Sequence, residues 1–236
     1  MLVNKNSWLS NIPIAHRGLW SNTVTENSIT AYERAIAHGF AIEIDIFLTK
    51  DKIPVCFHDE NLERMTGENA LIYDKTLKEL KKLSLKNSGE KIPTLDEVLS
   101  LCEKKAPLLI ELKNQPNNEI VSVVTKRLKG YKGEFAVQSF NPLYLIKLKK
   151  LAPEFTRGIL GSNDIENCGI IKKFVVKKMP LNPLVKPHFI SYYYKDFPIK
   201  NKGKLPTLAW TVTDKETAKK LQGVCDNIIF ENFTPD

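Results

Sequence analysis

Short apolar runs alternate with longer amphipathic stretches along most of this chain, and this alternation limits the fold more than any other feature. The runs are rich in β-branched and aromatic residues, which is typical of strands. Nine candidate strands can be read: residues 12–18, 40–49, 53–59, 107–113, 134–140, 155–160, 188–194, 207–212 and 227–232. Between them, one helical pattern ends at Gly39 and another begins at Thr94, residue types common at those helix positions. Strands that alternate with helices predict a parallel sheet.

The second and third candidate strands must be joined directly, because too few residues separate them for a crossover helix. We expect an antiparallel hairpin with its turn at residues 51–52, which pairs Asp45 with His58 and puts both side chains on one face. Eight parallel strands remain, which is the number in an α/β barrel. The hairpin is then a short arm after the second strand, and residues 60–91 form a small excursion above the barrel mouth. We expect residues 1–236 to be one domain.

The composition is that of an ordinary globular protein, with 42% hydrophobic and 26% charged residues. No apolar run approaches the roughly 20 residues of a membrane span, and the first residues lack the apolar segment of a signal peptide. We therefore expect no transmembrane segment and a cytoplasmic location. The cysteines are scattered without a Cys-x-x-Cys pair, which argues against a zinc site or a disulfide framework; they are Cys56, Cys102, Cys168 and Cys225.

A formal net charge of +8 leaves room for a nucleic-acid or anionic-membrane partner. Many of the lysines, however, alternate with leucines at helical spacing in residues 75–83 and 144–151, the pattern of a barrel helix with its polar side in water. No nucleic-acid-binding motif accompanies them. We expect no nucleic-acid partner, whereas a peripheral membrane contact and the oligomeric state stay open.

Three carboxylates are placed to meet at the barrel mouth. Glu43 and Asp45 lie two residues apart on one strand, so they share a face, and Glu111 ends another apolar run. Inward carboxylates on apolar strands are costly unless positive charge lies between them. A lysine or arginine could supply that charge, but three such groups also form the oxygen-rich site that Mg²⁺ or Ca²⁺ prefers. The spacing favours the cation site.

Groups that a phosphodiester cleavage would need are expected beside these carboxylates. Arg17 and Lys113 offer fixed positive charge for phosphoryl oxygens, and Lys113 shares a strand face with Glu111 because it lies two residues later. His16 and His58 can act as general base and acid, since imidazole titrates near working pH. The other two histidines, at 38 and 188, have no such company and are expected to be surface or packing residues.

In order and spacing, these residues resemble the motifs of the glycerophosphodiester phosphodiesterase family. The resemblance covers nearly the whole chain through His16-Arg17-Gly18, Glu26-Asn27, Glu43-x-Asp45, His58-Asp59, Thr66-Gly67, residues 92–97, Glu111-x-Lys113, Ser139-Phe140 and Trp210. It implies a TIM (β/α)8 barrel with one divalent cation, Mg²⁺ or Ca²⁺, held by Glu43, Asp45 and Glu111, and with His16 and His58 as the catalytic residues. Thr25, where the family usually has proline, and residues 228–233, at the end of the last strand, depart from the pattern.

The activity that the resemblance implies is metal-dependent hydrolysis of a glycerophosphodiester to an alcohol and sn-glycerol 3-phosphate. The glycerol 2-hydroxyl would attack phosphorus, and water would then open the cyclic phosphate. Arg17, Lys113, Phe140 and Trp210 are the expected substrate-binding residues. Two alternatives stay open. The same site could act as a lysophospholipase D on lyso-lipids, or the barrel could be non-catalytic and bind anionic lipid or nucleic acid.

Overall fold

A computed structural model describes residues 7–163, 181–199 and 203–235 of the chain. The strands are β1 (Ile14–Ala15), β2 (Ala41–Leu48), β3 (Pro54–Cys56), β4 (Leu108–Leu112), β5 (Phe135–Ser139), β6 (Arg157–Gly161), β7 (Phe189–Tyr193), β8 (Thr207–Val212) and β9 (Asn227–Phe230). The α-helices in these ranges are α1 (Trp8–Asn11), α2 (Ile29–Ala37), α3 (Glu63–Thr66), α4 (Leu77–Leu80), α5 (Leu95–Cys102), α6 (Glu119–Leu128), α7 (Pro142–Leu151), α8 (Asn182–Val185) and α9 (Lys215–Leu221). None of them is long and apolar enough to cross a membrane.

The strands form one sheet in the order β1-β9-β8-β7-β6-β5-β4-β2-β3, and β1 also pairs with β2. The ring therefore closes on eight strands, and β3 lies outside it as an antiparallel neighbour of β2. Helices follow most of the ring strands, because each parallel connection needs a crossover. This is the predicted TIM barrel with a hairpin arm after its second strand. All nine candidate strands are present, each within a few residues of its predicted bounds.

The predicted register of the hairpin is wrong by one residue. Ile46 pairs with Cys56 and Phe47 with Val55, so Asp45 faces residue 57 rather than His58, and the Phe57 amide donates to the Asp45 carbonyl at 3.0 Å. The cause is a longer turn: the Thr49 amide donates to the Ile53 carbonyl, and Lys52 takes the left-handed conformation with φ of 62°. His58 consequently lies one residue past the end of the hairpin pairing.

Residues 15–135 form one compact unit, in which predicted helix ends are observed. The Ser28 side chain accepts a hydrogen bond from the third residue of α2, and Gly39 follows the helix in the left-handed conformation. Thr94 and Glu97 form a reciprocal capping box at the start of α5. The stretch 75–83 differs from its prediction as a barrel helix, because only Leu77–Leu80 is α-helical and Leu80 packs inside the excursion.

The excursion has a hydrophobic core of its own within this unit. It includes buried side chains of the hairpin arm, of the excursion and of the residue directly after it. They are Phe47, Val55, Phe57, Leu62, Ile72, Leu80, Leu85 and Ile92. Burial of large apolar side chains contributes about 1.5–3 kcal/mol each. The hairpin arm and the excursion are therefore one packed substructure.

The second compact unit contains the described residues of 1–14 and 136–236, with strands β6 to β9 in parallel register. The Asn227 amide of β9 donates to the carbonyls of Leu9 and Ile12, which fixes the segment after α1. Whether the whole chain is one domain stays a prediction. Among the cysteines, Cys56, Cys102 and Cys225 are free thiols, and Cys168 lies outside the described residues.

His188 is a packing residue of this unit, as the sequence predicted. Its Nδ1 accepts a hydrogen bond from the Arg157 amide at 3.1 Å. Burial, followed by the charge of Arg157, lowers the pKa of His188 to about 4. The folded protein therefore holds His188 neutral over a range in which the unfolded chain, with a pKa of 6.5, takes up a proton.

We expect this difference to reduce stability as the pH falls from about 6.5 to about 4, by about 1–2 kcal/mol once the partial exposure of the ring is allowed for. In His188→Asn, an amide oxygen can replace Nδ1 as acceptor without titrating, so the loss should shrink. Urea unfolding at several pH values measures it, with His38→Asn on the exposed end of α2 as the control. Equal pH slopes in the parent and His188→Asn would contradict the assignment.

Candidate active site

Three carboxylates come together on neighbouring strands of the sheet. Glu43 and Asp45 lie on β2 and Glu111 lies on β4, and the parallel register places Asp45 directly beside Glu111. One carboxylate oxygen from each of the three lies within 4.8 Å of the others, and all three residues are buried. The cluster predicted from the spacing of the sequence is thus present in the fold.

Two cationic side chains face this cluster. Lys113 Nζ lies 3.2 Å from Asp45 Oδ1 and 3.1 Å from Glu111 Oε1, and Arg17 Nε lies 3.5 Å from Asp45 Oδ2. Burial opposes the charge of Lys113, but Asp45 and Glu111 outweigh it and raise the lysine pKa. The positive charge that the buried carboxylates require is therefore partly supplied by the chain itself.

The carboxylates remain short of positive charge. Burial and the charges of Asp45 and Glu111 raise the pKa of Glu43 well above its usual range, whereas burial of Asp45 is outweighed by Lys113 and its other cationic neighbours, which lower its pKa. Asp45 Oδ1 is buried and accepts no hydrogen bond of good geometry from the described residues. Three hard oxygen donors with a deficit of positive charge fit a divalent cation such as Mg²⁺ or Ca²⁺.

A tight turn at the end of β1 positions Arg17. Arg17 and Gly18 both have left-handed backbones, with φ of 58° and 81°, and a Cβ on Gly18 would lie 2.9 Å from Ala31 of α2. The turn directs the Arg17 amide to Glu43 Oε2 at 3.1 Å. The charge of His16, the preceding residue, contributes to the lowered pKa of Asp45. The His-Arg-Gly sequence therefore brings both predicted residues to the carboxylate cluster.

His58 is held by the residue that follows it. Its Nδ1 donates to Asp59 Oδ1 at 2.7 Å, and Arg64 Nε donates to the other Asp59 oxygen at 2.5 Å. Burial of Asp59 is outweighed by these two hydrogen bonds, which lower its pKa. Since an anionic acceptor requires a donor, Nδ1 carries the hydrogen, and Nε2 is the ring nitrogen that Asp59 does not engage. Although the hairpin register differs from the prediction, His58 is close enough to lower the pKa of Asp45.

Asn27, which the sequence marks only as part of the Glu26-Asn27 motif, has a further role in the structure. The buried Asn27 amide donates to Asp45 Oδ2 at 3.1 Å, and its oxygen accepts the Tyr32 hydroxyl at 2.9 Å. The backbone of Asn27 is left-handed, with φ of 51°, a conformation that asparagine tolerates better than most residues. Asn27 thus orients a carboxylate of the cluster.

The predicted substrate-binding aromatics, Phe140 and Trp210, belong to the other compact unit, where they contact each other. Their rings meet edge to face with centroids 5.5 Å apart, and the Tyr193 ring lies 5.6 Å from Trp210. Aromatic pairs of this geometry add about 0.5–1.5 kcal/mol beyond their burial. Packing therefore accounts for the contact, and the substrate-binding role of Phe140 and Trp210 stays a prediction.

The chain is similar to known proteins over nearly its full length. The sequence model described as "Glycerophosphoryl diester phosphodiesterase family" matches residues 16–233. A protein of Caldanaerobacter subterraneus subsp. tengcongensis named glycerophosphodiester phosphodiesterase is 33% identical over 227 residues, which cover 90% of this chain and 90% of the relative. Every predicted site residue lies within the range matched by the family model.

Solved structures give the same result for the fold. An Oleispira antarctica phosphodiesterase in complex with the product sn-glycerol-3-phosphate superposes with a TM-score of 0.80 at 28% identity, covering 96% of this chain and 95% of its own. A glycerophosphodiester phosphodiesterase of Thermotoga maritima superposes with a TM-score of 0.73, also at 28% identity, with 93% of each chain covered. Neither match leaves a large part of either chain unaligned.

Proposed function

This chain belongs to the glycerophosphoryl diester phosphodiesterase family, and on that premise we propose that it hydrolyses glycerophosphodiesters to sn-glycerol 3-phosphate and an alcohol. The observation that carries the proposal is the buried cluster of Glu43, Asp45 and Glu111 with Arg17 and Lys113 against it. The product held by the Oleispira antarctica relative supports sn-glycerol 3-phosphate as one of the two products.

In this proposal, Glu43, Asp45 and Glu111 hold one divalent cation, Mg²⁺ or Ca²⁺. When bound, it supplies positive charge to a non-bridging phosphoryl oxygen. The remaining phosphoryl charge is neutralised by Arg17, which the β1 turn fixes, and by Lys113, which extends from the end of β4. Both side chains are mostly buried, and this strengthens their interaction with an anion relative to water.

Proton transfer is assigned to the two histidines of the site. His16 takes the proton of the glycerol 2-hydroxyl as its oxygen bonds to phosphorus, and His58 gives a proton to the alcohol as its bond to phosphorus breaks, which leaves a cyclic phosphate. The two roles reverse when water opens the cyclic phosphate. The hydrogen bond from His58 Nδ1 to Asp59 supports this assignment, because it holds the ring in the tautomer whose Nε2 can exchange a proton with substrate.

A substrate panel tests the proposal. Purified protein is incubated with glycerophosphocholine, glycerophosphoethanolamine, glycerophosphoglycerol, glycerophosphoinositol and lysophosphatidylcholine, and the released alcohol and sn-glycerol 3-phosphate are measured. Release of sn-glycerol 3-phosphate from the first four supports the proposal. Turnover of the lyso-lipid alone would identify a lysophospholipase D, and no turnover of any substrate would leave a non-catalytic barrel.

The charge of Lys113 should matter most as negative charge grows on the phosphoryl oxygens, and methionine keeps much of its aliphatic stem. We therefore expect Lys113→Met to lower kcat about 10- to 100-fold and to raise KM. Steady-state kinetics at saturating Mg²⁺ or Ca²⁺ measure both. Lys81→Met, which removes a lysine paired with Glu97 at 2.8 Å outside the site, is the matched control. Near-parental turnover of Lys113→Met would mean that Lys113 only balances the carboxylates.

A further inference from the structure

Arg64 joins two parts of the site that the sequence keeps apart. On one side its Nη1 and Nη2 donate to the two oxygens of Glu26 at 3.1 and 2.6 Å, and Arg17 donates to the same carboxylate at 2.9 Å. On the other side its Nε donates to Asp59, which holds His58. One guanidinium therefore holds the carboxylates that position the phosphate-binding arginine and the catalytic histidine.

Glu26 and Asp59, the two carboxylates that Arg64 contacts, both have lowered pKa values and stay ionised. Burial of Glu26 is outweighed by its hydrogen bond with Arg64 and by the charges of Arg17 and Arg64, which lower its pKa. The hydrogen bond with Glu26 is the largest cause that raises the pKa of Arg64, and the bond with Asp59 adds to it. The five groups from Arg17 to His58 thus form a continuous chain of hydrogen bonds, and each end of it reaches the proposed reaction site.

The excursion, which carries Arg64, is attached by hydrogen bonds to the part of the chain around Glu26. Thr25, which stands where the family usually has proline, donates from its buried hydroxyl to the Lys86 carbonyl at 2.5 Å. The Thr30 amide donates to Glu90 at 3.2 Å. Leu62, at the start of α3, is buried in the core of the excursion. The excursion therefore holds Arg64 in a defined place opposite Glu26.

We propose that Arg64 is a positioning residue that sets His58 and Arg17 in their working geometry together, an inference that rests on the proposed phosphodiesterase function. The planar guanidinium suits this task, because its donors reach two carboxylates in fixed directions and a lysine ammonium cannot form the same fork. If Arg64 only formed a surface ion pair that attaches the excursion, a lysine with the same charge would replace it without loss of activity.

Kinetics of three variants separate these roles. Arg64→Ala should lower kcat about 10- to 100-fold and raise KM, because His58 and Arg17 both lose their alignment. Arg64→Lys keeps the charge and should retain most of the loss. Arg127→Ala removes an arginine paired only with Asp96, at 2.5 Å, among the contacts of the described residues, and serves as the control. Recovery of parental kcat in Arg64→Lys, or an equal loss in Arg127→Ala, would overturn the positioning role.

Two further measurements test the positioning role of Arg64 in other ways. Guanidinium ion at millimolar concentration should restore part of the activity of Arg64→Ala. It should leave the activity of Arg127→Ala unchanged. In ¹⁵N-labelled protein, the ring signals of His58, assigned with His58→Ala, should move in Arg64→Ala while those of His38 and His188 stay. The Arg64 side chain is 47% exposed, so its removal should leave the fold intact.

The outcomes also separate this inference from the function it rests on. A parent protein that turns over no glycerophosphodiester would defeat the proposed function, yet the His58 ring signals would still report whether Arg64 positions that histidine. An active parent with unchanged kcat, KM and His58 signals in Arg64→Ala would overturn the inference alone. Signals that move at all the described histidines together would indicate a general structural role and would also overturn it.

Discussion

His58→Ala is expected to lower kcat by about two to four orders of magnitude, and His16→Ala by a similar factor, because each removes a general acid or base from the proposed reaction. The double variant should lose far less than the product of the two effects, since groups that act in one proton-transfer scheme are not additive. Steady-state kinetics with the best substrate of the panel measure all three. Circular dichroism should show an unchanged fold, because both rings are only partly buried.

The remaining histidines are the internal controls. His38 is exposed at the end of α2, and His188 packs against the Arg157 backbone in the other compact unit. His38→Ala and His188→Ala should keep kcat within about threefold of the parent, although His188→Ala should be less stable because it leaves the Arg157 amide without its acceptor. Losses as large as that of His58→Ala would contradict the division of the histidines.

Removal of divalent cations is expected to abolish turnover while the protein stays folded. Glu43, Asp45 and Glu111 then depend on Arg17, Lys113 and the neighbouring histidines for compensation. The raised pKa of Glu43 allows that carboxyl to take up a proton rather than force the strands apart. Dialysis against EDTA, followed by activity and circular dichroism measurements, checks both parts. Mg²⁺ or Ca²⁺ added back in excess should restore the rate.

Direct binding separates the cation site from its effect on the rate. Calorimetric titration of the cation-free protein should show one site, and Glu111→Gln should weaken it, because an amide oxygen is a poorer ligand than a carboxylate for a hard cation. Glu119→Gln, whose carboxylate pairs with Lys52 outside the cluster, is the control. Full turnover in excess EDTA, after metal analysis has verified removal, would contradict the assignment of the cluster.

The carboxylate cluster could be predicted from the sequence because it depends on short-range regularities. Glu43 and Asp45 share a face through the two-residue period of a strand, and Lys113 shares one with Glu111 for the same reason. The closeness of Asp45 to Glu111 then needs only parallel neighbours in register, which a barrel provides. Local periodicity and the order of the strands were therefore sufficient to predict the carboxylate cluster.

The details that failed depend on conformations or contacts that residue types do not determine. The hairpin register changed because Lys52 adopts a left-handed backbone and lengthens the turn. Residues 75–83 have a helical pattern, but packing in the excursion leaves a single α-helical turn, Leu77–Leu80. Arg64 meets Glu26 across 38 positions of sequence, a contact that no spacing rule contains.

The separate hydrophobic core of the hairpin arm and excursion has a consequence for how the protein loses activity on heating. A substructure with its own core can open before the rest of a protein does. Because His58 and Arg64 are attached to this one, its opening would displace the proposed catalytic acid while the β2–β4 carboxylates remain in the sheet. Heat inactivation should therefore begin below the global melting temperature and be reversible over that interval, and amide hydrogen exchange should be faster in residues 60–91 than in β2 and β4.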